Sequence, residues 1–266
     1  MPVPNSKGED ITKRIEELSK RSEISPFEVK SLQRDIEKLM AVDAAEAYML
    51  GGMLAAMTGN RADAQALHEK SLKLKCDVVG LFNYGVSMKK VNNLTLAKEL
   101  FSRADAFSPG DIQIASHRFQ TMNFLLDYEG FEDVVGKLQK IHPDFNAQEI
   151  PEVQVAQGII DKLSGMGVSL GEYRRFGQHA EQALLEFDLS ATHIVQRVSS
   201  FDGVPHIYAE YHVEVNSADV LVGVNETLMD RILSDESLES WDKVVINVVR
   251  RDQDQLDLEE YEHTAA

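Results

Sequence analysis

Cysteine is almost missing from this chain. Cys76 is the single one in 266 residues, so no internal disulfide can form and no cysteine-based zinc site can be built. That fits a reducing, cytoplasmic setting. Long apolar runs are missing too. The longest, "AYMLGGMLAAMTG" from Ala47 to Gly59, falls short of the ~18 residues that a bilayer span needs, and "MPVPNSKGEDITKR" has no apolar core of signal-peptide type. No membrane partner is expected. Phosphate-binding loops are also absent. Neither Gly51-Gly52 nor "GMG" at 165–167 leads from a strand into a helix with the required lysine or further glycine.

Basic residues run short in the second half. Residues 1–150 carry 22 acidic and 19 basic side chains, whereas residues 151–266 carry 22 acidic and 8 basic, out of a net charge of −17. A phosphate backbone would be repelled there, so direct nucleic-acid binding is not expected and a protein partner is.

What is present is helical periodicity. Ile11, Ile15 and Leu18 share one face. After "SPFE", where Ser25 can cap and Glu28 can complete a capping box, Val29, Leu32, Ile36, Leu39 and Met40 share another. In "LFNYGVSMKKVNNLTLAKELFSRADAFSP" two apolar runs flank "VNN". Gly85, Ala97 and Ala104 fall where two crossing helices need small side chains, Phe101 fills the wider gap, and Pro109 closes the segment.

This hairpin resembles the tetratricopeptide repeat, a helix-turn-helix unit of ~34 residues. Gly85 matches the small residue of the family's first helix. Ala97, Phe101 and Ala104 match those of the second, Pro109 matches the closing proline, and Leu81 stands at the family's tryptophan position. Tyr48, Gly51-Gly52, Ala55, Gly59, Ala64, His68 and Ser71 align with it from the preceding segment. Gly130, Phe131, Val134, Leu138 and Pro143 align more loosely from the following one. The resemblance covers residues 10–143 and implies stacked hairpins whose first helices form a groove for a partner peptide. By it, the groove residues are Asn83, Ser87 and Lys90 in the best repeat, with Met49, Met53, Gln120 and Asn123 in its neighbours.

Further helix is expected over 144–188. Then the period changes. "HIYAEYHVEV" alternates as a half-buried strand, "THIVQRVSS" and "KVVINVVRR" read as two more, and Ser217 caps an intervening helix. The expected fold class is therefore α+β: an all-α helical solenoid followed by a small α-β-β-α-β domain with a mainly antiparallel sheet. The expected divisions are a flexible end at 1–9, helical repeats at 10–164, the α/β domain at 165–251 and an acidic, disordered tail at 252–266. Within that tail, "DQDQLDLEE" lacks the glycine of a calcium loop.

Two functions are weighed. The first is a non-enzymatic scaffold or adaptor holding a protein or peptide partner in the groove, without a cofactor. Its acidic C-terminal domain would provide a second contact or a homodimer surface, with Val244, Ile246 and Val248 on the edge strand 244–250 as one place to pair. The alternative is a ligand- or metal-binding enzyme or regulator acting through Glu210, His212 and Glu214. Alternation puts these on one strand face, with His193 or Arg197 brought near by the pairing strand.

Overall fold

The computed structural model describes residues 7–21, 24–144, 146, 150–201 and 203–251. Residues 1–6 and the acidic tail 252–266 lie outside the described residues, and the expectations about them with it. Contacts divide the chain into two compact units. One holds residues up to Met122 together with Gly130–Glu152; the other holds Asn123–Glu129 together with the chain from Val153 onward.

The first unit is all-α among the described residues, a tandem of helical hairpins: α1 (Lys7–Ser19) and α2 (Pro26–Met40), α3 (Ala44–Met57) and α4 (Arg61–Leu74), α5 (Val78–Lys90) and α6 (Leu94–Phe107), α7 (Ile112–Leu125), whose residues from Asn123 belong to the second unit, and α8 (Phe131–Ile141). Helix α1 starts at Lys7, so that Glu9 and Asp10 lie in its first turn, where carboxylates suit the helix dipole. Ser25 caps α2 through the Phe27 N–H, while Glu28 pairs with Arg21.

The hairpins repeat in detail. Asp43, Asp77 and Asp111 each accept a backbone N–H three residues on, from Glu46, Gly80 and Ile114, and so fix the starts of α3, α5 and α7. A methyl added at Gly52 would strike the His68 ring, and one added at Gly85 would lie 2.6 Å from the Phe101 ring. Each glycine therefore lets the ring of its own second helix press against the first helix's backbone. The rings repeat as well. Tyr84 stacks on His68 with centroids 4.8 Å apart, and His117 stacks on Phe101 at 5.3 Å. Ala64, Ala97 and Ala104 are fully buried between the paired helices. One core cluster joins α1, α2 and α3; another joins α3, α4, α5, α6 and the start of α7.

The second unit contains α9 (Pro151–Met166), α10 (Leu170–Glu186), β1 (Ala191–Phe201), β2 (Val204–Val213), α11 (Ala218–Ser234) and β3 (Val244–Arg250). Gly165 lies inside α9, and Gly167, at φ 72°, ends it. The sheet is open and mixed, in the order β1-β2-β3. Its longer ladder, β1 to β2, is antiparallel; β3 runs parallel to β2. A parallel return needs a crossover, and α11 supplies it. Ile207, Ala209, Tyr211 and Val213 are all buried, with Val244, Ile246 and Val248 beside them on β3, as strand alternation requires.

Segment 123–129 is built into this second unit. The Tyr211 hydroxyl donates to the Phe124 carbonyl at 2.8 Å, and the hydroxyls of Tyr128 and Tyr173 both donate to Gln196 Oε1 at 2.9 Å. A methyl on Gly177 of α10 would overlap the Leu125 carbonyl, so only glycine lets that backbone approach. Burial pushes the Tyr173 and Tyr211 phenols well above their ordinary value, which keeps them neutral donors.

The β3 edge is not open for pairing along its length. Asn225 of α11 donates to the Val248 carbonyl at 2.8 Å and accepts the Val248 N–H at 2.9 Å, and the Val244 N–H donates to the Ser240 carbonyl. The edge expected at 244–250 is therefore covered in part: at Val248 a side-chain amide reproduces both bonds that a neighbouring strand would make.

Candidate functional site

Helix α5 buries Leu81, Tyr84, Gly85 and Met88, which leaves Val79, Asn83, Val86 and Lys90 on its accessible side. Asn83 Nδ2 reaches Met49 Sδ of α3 at 3.4 Å, so two of the expected groove residues meet across neighbouring first helices. Beside them is a cleft of about 190 Å³ lined by Glu46, Met49, Ser71, Lys75, Asp77 and Val79. Its charge is mixed: Lys75 pairs with Asp77 at 2.9 Å, while burial, then the nearby Asp43, raises the Glu46 carboxyl. Met53 is half-buried against the first core cluster, and Lys90 is exposed at the end of α5.

The neighbouring lysine is the more unusual one. Lys89 Nζ donates to Gln120 Oε1 at 2.6 Å and lies 3.3 Å from His117 Nδ1. Gln120 Nε2 in turn donates to Glu152 Oε1 at 2.9 Å. Burial lowers the Lys89 ammonium to about 8, against a smaller upward pull from Glu152. Burial, then the Lys89 charge, lowers His117 to about 4, so His117 is neutral at pH 7 and accepts at Nδ1. Phe82 meets the same imidazole edge-on, with centroids 5.1 Å apart. A half-buried cation is thus held by two uncharged side chains, and these two contacts use two of its three N–H donors.

The remaining expected groove residues lie elsewhere. Ser87 is buried, and its hydroxyl is 2.8 Å from Nε2 of the fully buried His68. Burial lowers His68 to about 3. Asn123 is buried in the second unit, where its carbonyl accepts from Gln196 Nε2 at 3.3 Å.

On the sheet, the strand register sets His193 directly opposite His212, with ring centroids 5.7 Å apart. The carboxylates expected with them are engaged by arginines. Glu210 pairs with Arg197 at 2.8 Å and Glu214 with Arg251 at 3.3 Å. Among the described residues, no group of three or more His, Cys, Asp or Glu side chains is arranged to hold a metal ion. A closed zinc site takes four protein ligands and a catalytic one three, so two imidazoles fall short. His179 Nε2 lies 2.9 Å from Asp235, whose carboxyl is held down at about 2, first by the Ser237 hydroxyl and then by His179. Ser237 also donates to Asp235, so the carboxylate is shared between the two side chains rather than relaying one to the other.

Lys89, His117 and Glu152 were not singled out from the sequence. For His117 a signal existed, since it stands 33 positions after Tyr84 and takes the same ring-stacking place. For Lys89 there was little: "KK" does not say which lysine turns inward. No protein-family model, curated protein or solved structure matches the chain.

Proposed function

We propose that the hairpins are repeats of the tetratricopeptide type. In this reading the chain is a non-enzymatic, cytoplasmic interaction scaffold, and the first-helix face around α3, α5 and α7 holds a partner peptide. The observation that carries this is Lys89. A half-buried ammonium kept by neutral His117 and Gln120, with one donor to spare, suits an acidic or carbonyl-rich segment better than solvent. Asn83 and Lys90 add polar contacts along α5, and the cleft beside Met49 adds a seat of mixed charge. The repeated Asp caps, glycine–ring contacts and ring stacks support the repeat type, because each hairpin buries its faces against the next.

The test is selection of acidic peptides on the whole chain, followed by affinity measurement with Lys89→Met. A hydrogen bond to a charged group is worth about 1.5–3 kcal/mol, so the affinity should fall on the order of tenfold or more. The exposed substitution Val222→Asp should leave binding unchanged. Equal affinity for the Lys89→Met protein, or no peptide selected at all, refutes the reading.

A further inference from the structure

The second unit has two sheet edges, and they are treated differently. On β3 the outward N–H of Val244 is occupied by Ser240, and both outward groups of Val248 by Asn225. On the other side, β1 is an 11-residue strand whose one strand neighbour among the described residues is β2.

Which β1 groups face outward follows from the ladder. Ile207 N donates to the Lys243 carbonyl and Arg251 N to the Val213 carbonyl, so β2 turns the backbone groups of Ile207, Ala209, Tyr211 and Val213 toward β3. Alternation turns those of His206, Tyr208, Glu210 and His212 toward β1, where they meet Ser199, Arg197, Val195 and His193. Ile194, Gln196, Val198 and Ser200 therefore aim their N–H and C=O groups at the open edge. No proline interrupts the strand. Val198 lies on the same face as the fully buried Ile207 yet is 37% exposed, so the inner apolar layer stops short at this edge.

We propose that a second copy of this chain pairs here, β1 against β1 in antiparallel fashion, about a twofold axis through Gln196. Two sheets would then join as one of six strands. The side chains fit that register. Ile194 faces the partner's Val198, which completes the apolar layer at both ends. Arg197, the one fixed charge on β1, faces the partner's Val195 and stays paired with its own Glu210. Moving the axis to Arg197 would set the two arginines against each other. β1 contains no carboxylate, so a strongly acidic unit meets its copy where like-charge repulsion is least. This pairing does not depend on the peptide groove.

Sedimentation velocity on the full chain across a concentration series should show a reversible dimer. Hydrogen exchange should slow at Ile194, Gln196, Val198 and Ser200 as concentration rises, while β3 is unaffected. Val198→Pro removes an outward donor but no β1–β2 ladder bond, so it should keep the fold and weaken the dimer on the order of tenfold or more. Should that variant unfold, the exchange pattern of the unsubstituted chain decides. A monomer throughout, a dimer whose β1 amides exchange unchanged, or a monomer that instead adds an extended peptide to β1 overturns the proposal.

Discussion

Acidification from pH 7 to pH 5 should weaken the first unit through His68. This imidazole is fully buried, with its ring against Gly52 and Tyr84 and Nε2 on the Ser87 hydroxyl. Folded, it holds a proton only below a pKa of about 3; unfolded, it protonates near ~6.5. Between those values the unfolded chain binds more protons, so stability falls as pH falls. Linkage across the shift gives a loss of about 2 kcal/mol at pH 5 and about 3 kcal/mol at pH 4, the first free of most carboxylate titration. Urea midpoints at each pH, compared with a His68→Phe, Ser87→Ala protein, would isolate the effect. Phenylalanine is what the next hairpin carries at Phe101, and the alanine removes the hydroxyl that would otherwise be stranded. The double variant should be less sensitive to acid by about 2 kcal/mol between pH 7 and 5. His117 pulls the same way in both proteins and cancels. A His68 ring that titrates near its ordinary value in the folded protein, read from its Cε1 proton, would refute the reasoning.

Gly177→Ala should destabilise the second unit by about 3 kcal/mol in thermal denaturation, because its methyl meets a backbone carbonyl that cannot step aside. Gly158→Ala, in α9 with nothing nearby, should instead gain up to about 1 kcal/mol. Gln196→Leu should cost about 2–4 kcal/mol by stranding the Tyr128 and Tyr173 hydroxyls, measurable from the urea midpoint. Asn225→Ala frees the Val248 edge, and light scattering at rising concentration should show larger assemblies than the parent chain forms.

Much of the fold was legible because two periodicities are written plainly in this chain. The hairpin about "VNN" forms from α5 and α6, with Gly85 against Phe101 and Ala97 and Ala104 buried; the alternation in "HIYAEYHVEV" gives β2 with its apolar side inward. The Ser217 cap and the strand pairing that brings His193 and Arg197 to the Glu210 face were readable on the same grounds. The parallel return of β3 was not, because alternation along a strand carries no direction. Nor was the sealing of its edge, since Asn225 looks like any polar helix residue until the fold brings it to Val248. Within the candidate site, spacing put Ser87 on the same side as Asn83 and Lys90. The buried His68 draws it inward instead, a contact 19 residues away that helix spacing cannot show. The aspartate caps of Asp43, Asp77 and Asp111 recur at even intervals and were there to be read.

The membership of residues 123–129 in the second unit bears on how this protein is made. On a ribosome, Tyr128 emerges 68 residues before Gln196, and Phe124 emerges 87 before Tyr211. At about 5–20 residues per second, "NFLLDYE" spends several seconds in the open with none of its later partners yet synthesised. A nascent chain paused in that interval would present Phe124, Leu125, Leu126 and Tyr128 as an apolar strip, and holdase chaperones should crosslink to it there and release it once β2 has been translated.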